Sequence, residues 1–319
     1  MALLTRIAEL YQETDEIRRY RLVAADGGAL PAGTPGSHID VQLESGLVRQ
    51  YSLCNGPGEQ GVFEIAVKRE PASRGGSAAV HAGFRVGGLV PVSAPRNSFP
   101  LQDDADHHLL LAGGIGITPL LSMARHLAAA GKPFHLHYFV RSARDAAFRE
   151  LLASPTLRGS VTQHHGLDPA ETADVLRAVS RVRPSGGHLY VCGPAPFMAC
   201  ATGAAGAWPE GTVHQEWFAA APSDSDGAAT GRPFRVRLAR QDVEFEVAPG
   251  QSILQALDAH DIFAPRSCEQ GFCGTCEVAV LEGEPDHRDT YLSEEERRRG
   301  KVMMPCVSRC RGPLLVLDL

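Results

Sequence analysis

No stretch of this chain reaches the eighteen or so apolar residues that a membrane-spanning helix needs, so membrane insertion is not expected. The opening Met1-Ala2-Leu3-Leu4-Thr5-Arg6 lacks the cationic and then apolar regions of a secretory signal, and a cytoplasmic location is expected. Positive charge is also short. The 31 Lys and Arg residues face 37 Asp and Glu, a formal net charge of −6, which argues against nucleic acid as a partner. There is only one C-x₂-C step, whereas structural zinc sites usually pair two. What remains is an ordinary globular composition, 44% apolar and 21% charged, and 319 residues leave room for two or three domains.

Eight cysteines are present, and without an export signal they fit metal binding in a reducing compartment better than disulfides. Four of them, Cys268, Cys273, Cys276 and Cys306, follow C-x₄-C-x₂-C…C, the plant-type spacing for a [2Fe–2S] cluster. Gly271 and Gly274 lie inside the short loop, where backbone N–H groups must turn towards sulfur. Cys306 follows Pro305 and so arrives on an extended approach. Cys310 falls outside the ligand set and reads as a buried thiol. Such a cluster moves one electron at low potential, on the order of −400 mV. It needs an electron source, and the rest of the chain is read for one.

Residues 3–12, 16–24, 38–43, 47–54 and 61–68 read as strands separated by glycine and proline turns, a small all-β domain of barrel type. Arg49-Gln50-Tyr51-Ser52-Leu53 alternates, placing Arg49, Tyr51 and Leu53 on one face. Arg74-Gly75-Gly76-Ser77 opens an Ala/Val run. Its glycines let consecutive N–H groups face an anion, with Ser77 as an N-cap and hydroxyl donor, so a phosphate fits there. From His108 to Ala130 the order is strand, Gly-rich turn, helix, the start of a dinucleotide-binding unit. Pro119 replaces the third glycine of G-x-G-x-x-G. Further strands at 134–140, 161–165 and 188–192 alternate with helices, so the middle domain is a parallel α/β domain. Ser142-Ala143-Arg144-Asp145 reads as a capping box. His107/His108 and His164/His165 have no partner spaced for a metal or a triad, and read as structural or surface residues.

Ala219–Gly231 is small, polar and turn-rich, a flexible tether that would keep a cluster domain at high effective concentration near its donor. Beyond it come a hairpin (234–239 and 243–247), a helix opened by a Ser252/Gln255 capping box, the cysteine loop and two strands, with a charged helix at 294–299. The domains expected are 1–102, an all-β barrel; 103–221, a dinucleotide-binding α/β domain; 222–233, a linker; and 234–319, a cluster domain.

In this order the motifs resemble the ferredoxin–NADP⁺ reductase superfamily, and within it the phthalate dioxygenase reductase branch. The resemblance implies an antiparallel flavin barrel, a parallel-sheet NAD domain and a C-terminal β-grasp [2Fe–2S] domain. It implies that Arg49 and Tyr51 lie along the flavin, that Ser52 approaches its N5 edge, and that Ala66, Val67, Lys68 and Arg69 line it. Gly75, Gly76 and Ser77 would hold the phosphate of FMN, FAD being the alternative. Gly113, Gly114, Gly116, Thr118 and Pro119, with Cys192, Gly193 and Pro194, match the superfamily's NAD(P) motifs. Cys192 would sit near the nicotinamide or else pack the strand end, and Phe218 would stack on the flavin. Arg141-Ser142 leaves NADPH open, while the branch favours NADH. The activity implied is hydride transfer from NADH to flavin and single-electron transfer through the cluster to a terminal oxygenase of the Rieske type, a dioxygenase, demethylase or monooxygenase. Donation to a haem monooxygenase, a non-enzymatic redox-sensing module and a zinc-stabilised interaction protein are the alternatives.

Overall fold

A computed structural model describes residues 2–44, 46–71, 75–218 and 232–319, in two compact units, Met1–Phe218 and Ala219–Leu319. The tether at 219–231, and with it most of the linker expected at 222–233, lies outside the described residues, as does Arg74.

The first unit begins with β1 (Leu3–Gln12), β2 (Ile17–Ala24), β3 (His38–Gln42), β4 (Val48–Ser52) and β5 (Val62–Lys68), then α1 (Gly76–Gly83) and β6 (Leu89–Val92). All strand pairs are antiparallel, in the order β4-β3-β6-β1-β2-β5. The sheet curls until Leu53, just past β4, bridges Ile65 of β5 at the opposite edge. Alternation puts Tyr20, Leu22, Ile39, Val41, Phe63 and Ile65 inside with almost no exposure.

The middle of the chain forms β7 (His107–Gly113), α2 (Ile117–Ala129), β8 (Phe134–Val140), α3 (Arg149–Leu152), β9 (Val161–His165), α4 (Pro169–Ser180), β10 (Gly187–Cys192), α5 (Ala195–Ala204) and β11 (Val213–Glu216). Its five strands are parallel, in the order β11-β10-β7-β8-β9. The run Leu109–Ala112 is buried on both faces, as a covered parallel strand must be. Helix α2 is nearly apolar all round. Ile117, Leu120 and Leu121 share one core with Cys54 and Ala66 of the barrel, so α2 binds the two halves of the unit together.

Two local readings of the sequence fail here. The Ser142 capping box does not form: Ser142 Oγ donates to Asp145 Oδ2 at 2.7 Å, only a single 3₁₀ turn follows, and α3 restarts after Phe148, whose φ is 58°. The N-cap of α1 is Gly75, not Ser77.

The second unit contains β12 (Phe234–Leu238), β13 (Val243–Val247), α6 (Ile253–Ala259), β14 (Val278–Glu282), β15 (Pro285–Asp286), α7 (Glu294–Arg299), β16 (Val302–Met303), β17 (Arg309–Cys310) and β18 (Leu314–Leu317). The mixed sheet runs β13-β12-β18-β14-β16, with β18 parallel to β12 and antiparallel to β14. Both halves of the Ser252/Gln255 capping box form, and α6 packs Ile253, Leu254 and Leu257 onto this sheet, a β-grasp arrangement.

Candidate functional site

The first part of the site is the rim of the barrel. Arg49 folds back over the start of α1: a Cβ on Gly76 would come within 2.5 Å of Arg49 Nε and 2.7 Å of Cγ. Only glycine lets the arginine lie there. Gly75, with φ 85°, turns the chain into α1. The first N–H groups of a helix lack intrahelical partners, so guanidinium and helix N-terminus together suit a phosphate. Ser77 is the second residue of α1, and its Oγ accepts from the Glu70 N–H at 3.1 Å. Ala66 and Val67 are buried within β5. Lys68 Nζ pairs with Glu70 at 2.5 Å, and Arg69 is exposed beyond the strand end. Tyr51 is half-buried beside the barrel core, and burial raises its hydroxyl above the ordinary value.

The second part is a pair of turns at the ends of adjacent parallel strands. β7 ends at Gly113 and β10 at Cys192, with Ala112 and Cys192 in register. The fit between the turns is tight. A Cβ on Gly116 would lie 2.2 Å from the Cys192 carbonyl oxygen, and one on Gly193 2.7 Å from Phe197 Cδ1 and 3.1 Å from Gly113 Cα. A Cβ on Gly114 would meet nothing, so that side of the turn is open to a ligand. Thr118 is buried and spends its hydroxyl on the Ile115 carbonyl at 3.0 Å. Pro119 is buried in the first turn of α2, and Pro194 caps α5.

The two parts meet at a residue that the sequence reading named only as part of Glu216-Trp217-Phe218. Ser52 Oγ donates to Glu216 Oε2 at 3.2 Å, joining β4 to the end of β11. Glu216 is paired in register with Cys192, so the carboxyl sits where the end of β4 and the two glycine turns converge. Surrounding protein desolvates the carboxyl and pushes it up to about 8, against the opposing hydrogen bond from Ser52. Cys192 is fully buried, and burial pushes its thiol well up, with Glu216 adding to the effect. Phe218 is 37% exposed, a rim position rather than core. An acid beside two aromatics at a strand end was the only sequence signal for Glu216.

The third part is in the second unit. Cys268, Cys273, Cys276 and Cys306 are 5–8% exposed and face one another in two pairs, Cys268 with Cys273 and Cys276 with Cys306. The hydrogen bond from its partner holds Cys273 down to about 6, and Cys276 is lowered in the same way by Cys306. Four buried thiols gathered this closely are the donor set that thiolate ligation of a metal centre needs. Among the described residues no three His, Cys, Asp or Glu donors converge on a single-ion point, whereas two facing pairs suit two irons. The Gln270 N–H lies 3.3 Å from Cys268 Sγ, and the N–H groups of Phe272 and Gly271 point at Cys268 and Cys306. Gly271 and Gly274 have φ of 77° and 69°, and a Cβ would strike Val307 Cγ2 at 2.6 Å and the Tyr291 ring at 2.3 Å. Asp289 anchors the loop from behind. Its carboxylate is buried and accepts from the Leu292 N–H at 2.9 Å and from Ser308 Oγ at 3.3 Å, two residues past Cys306. Cys310 is half-buried, and its Sγ faces the Leu314 carbonyl.

The paired histidines stay outside this chemistry. His108 Nε2 is 2.9 Å from the Gln102 carbonyl, and His164 shares a 3.0 Å contact with His137.

These parts are those of a pyridine-nucleotide-dependent iron–sulfur reductase. Residues 110–203 match the family model described as an oxidoreductase NAD-binding domain, and residues 236–311 the one described as a 2Fe-2S iron-sulfur cluster binding domain. A vanillate O-demethylase oxidoreductase of Pseudomonas sp. (strain HR199 / DSM 7063) is 45% identical over 306 residues, 95% of this chain and 96% of that one. The solved structure of phthalate dioxygenase reductase, described as a modular structure for electron transfer from pyridine nucleotides to [2Fe-2S], is 40% identical with TM-score 0.76. It is matched over 98% of its length by the whole of this chain. A type IV self-sufficient cytochrome P450 monooxygenase is 38% identical with TM-score 0.86, the whole chain covering 41% of it. The chain belongs to the phthalate dioxygenase reductase-like family. No helix among the described residues is long and apolar enough to cross a membrane.

Proposed function

We infer that this protein is the NADH-dependent reductase component of a multicomponent oxygenase, carrying FMN and a [2Fe–2S] cluster and passing electrons singly to a terminal oxygenase of the Rieske type. The observation that carries the reading is the Ser52–Glu216 bond. It brings the flavin strand and the dinucleotide turns to one point in the first unit, while four thiols gather in the second. When bound, FMN accepts an electron pair and releases it one electron at a time, and the cluster carries single electrons onward.

The residues supply the positions. Arg49 and the N-terminus of α1, with Gly75, Gly76 and Ser77, hold the phosphate. Tyr51, Ser52, Ala66, Val67, Lys68 and Arg69 line the flavin, and Phe218 closes its rim. Gly113, Gly114, Gly116, Thr118 and Pro119, with Cys192, Gly193 and Pro194, seat the dinucleotide. Glu216 stands hydrogen-bonded to Ser52 at the reacting edge. Cys268, Cys273, Cys276 and Cys306 hold the irons, and Thr275 Oγ1, 3.3 Å from Cys273 Sγ, tunes one ligand. We assign residues 1–102 to flavin binding, 103–221 to NAD binding, 222–233 to the linker and 234–319 to the cluster. Eight free cysteines suit a reducing cytoplasm.

The test is electron paramagnetic resonance after anaerobic addition of NADH. A reduced-cluster signal with flavin bleaching is expected. A signal with dithionite but none with NADH would overturn the relay. The similarity to the P450 fusion favours a second reading, donation to a haem monooxygenase. Reduction of a haem partner, with none of a Rieske oxygenase, would select it.

A further inference from the structure

Helix α2 does more than carry the dinucleotide turn at its start. Arg125, two turns along, reaches into the connection that follows the flavin strand. Its Nη1 donates to the Cys54 carbonyl at 2.9 Å and to Glu59 Oε2 at 3.0 Å, and its Nη2 to Glu59 Oε1 at 2.7 Å. The guanidinium lies flat on Gly56, where a Cβ would meet it at 2.5–2.7 Å. Glu64, 3% exposed, stands 3.9 Å from Arg125 Nη1, and also holds Arg19 at 3.0 Å. One turn earlier, Ser122 Oγ donates to the Asn55 carbonyl at 2.8 Å. Asn55 is itself fixed: its Oδ1 accepts from the Glu64 N–H at 2.9 Å and its Nδ2 donates to the Val62 carbonyl at 3.2 Å. The connection 54–59 is thus moulded around one arginine and one serine of α2.

The geometry of this clasp matters because of what lies at its two ends. Cys54 is two residues past Ser52. Arg125 is seven residues past Thr118, about 10 Å along a rigid helix. We propose that Arg125 and Ser122 are positioning residues for hydride transfer, fixing the rotation and advance of α2 so that the dinucleotide turns face the flavin strand at reacting distance. The proposal rests on the NADH–flavin reading above. A bidentate guanidinium–carboxylate pair is directional, whereas an ammonium is a point charge, so lysine at 125 restores charge without restoring aim. Misplacement by about 1 Å costs on the order of 10²-fold in rate.

The experiment is anaerobic stopped-flow reduction of the FMN-loaded, cluster-loaded full chain by NADH, for the parent, Arg125→Met, Arg125→Lys, Glu59→Gln and Ser122→Ala. The limiting rate of flavin reduction is expected to fall at least 10-fold in Arg125→Met and about 3-fold in Ser122→Ala. The NADH dissociation constant should change less than 2-fold. The long-wavelength NADH–flavin charge-transfer band should weaken in step with the rate, and Arg125→Lys should recover only part of both. The flavin midpoint potential should not move. Amide exchange at 54–64 should quicken in Arg125→Met even after the flavin is stripped. An unchanged limiting rate and band in Arg125→Met that has retained its flavin would overturn the proposal. So would a raised dissociation constant with an unchanged rate. Should Arg125→Met fail to fold, Ser122→Ala and Glu59→Gln decide by the same criteria. A parent that NADH does not reduce would sink the functional reading itself, and this proposal with it.

Discussion

Replacing Gly116 by alanine is the sharpest perturbation of the dinucleotide seat. Gly116 has φ −62° and ψ −4°, a conformation alanine adopts freely, so backbone strain adds nothing. The whole effect is steric. The added carbon would lie 2.2 Å from the Cys192 carbonyl oxygen, 2.4 Å from its carbon and 2.6 Å from the Gly193 nitrogen. All three are backbone atoms at the end of a central strand, and none can swing aside. Ordinary contact is roughly 3.5 Å, so the two turns must part by about 1 Å. Overpacking of this kind costs about 1–3 kcal/mol, and backbone on both sides puts it near the upper end. For a unit of this size that is a fall in Tm of roughly 6–10 °C. Parting the turns also opens the seat for the dinucleotide, and NADH affinity should fall about 10-fold or more. Gly114→Ala is the counterpart: its carbon would meet nothing, but φ is 53°, so it carries a backbone cost of about 1 kcal/mol and no clash. Calorimetry with NADH titration distinguishes the two. A Gly116→Ala protein with native Tm and native NADH affinity would refute the steric argument.

Cys273→Ser should lose the cluster signal while NADH still bleaches the flavin and ferricyanide, which drains the flavin directly, is still reduced; loss of flavin reduction in a flavin-loaded variant would contradict the division of labour. Glu216 is raised to about 8 when folded, against 4.5 for the free carboxyl. The unfolded chain therefore gives up the proton first, and stability falls as pH rises from about 4.5 to 8. Glu216→Gln should remove that slope, so its Tm advantage over the parent should be greater at pH 9 than at pH 5; an equal difference at both would sink the assignment. Asp289→Ala removes a buried carboxyl and strands the Leu292 N–H and Ser308 hydroxyl, at a cost of about 1–3 kcal/mol for each buried donor left unsatisfied, while Arg297 keeps its bond to the backbone carbonyl of residue 289. Iron content after gel filtration should drop well below the parent, and full retention would show that the loop does not depend on Asp289.

The order of the NAD-binding and 2Fe-2S domains and the gathering of four cysteines could be read from the chain because their signals are local. Cys268, Cys273 and Cys276 fall within nine residues, and the Ser252/Gln255 box within four. The failures are also instructive. Ser142-x-x-Asp145 has the same local form as the Ser252 box, but the segment packs Ala146, Ala147 and Phe148 into the core, and that burial outweighs the cap. At Ser77, two glycines upstream turn the chain first, and the helix starts at Gly76. Strand β11 is three half-buried residues and one exposed, Gln215, with little alternation, and only its pairing with β10 makes it a strand. The Ser52–Glu216 bond spans 164 residues, and the Arg125–Glu59 pair 66, so neither leaves a mark in any short window.

The position of β18 has a consequence for how the protein is made. Leu314–Leu317 lies in the middle of the second sheet, hydrogen-bonded to β12 on one side and β14 on the other. Until those residues leave the ribosome, β12 and β14 have no shared neighbour and Cys306 has no settled place. The sheet that carries the cysteine loop is therefore completed only at the end of synthesis. The first unit is complete at Phe218, about a hundred residues earlier. At roughly 5–20 residues per second it has about 5–20 seconds to fold alone. A chain truncated in this interval would carry the whole of the first unit and none of the four clustered thiols.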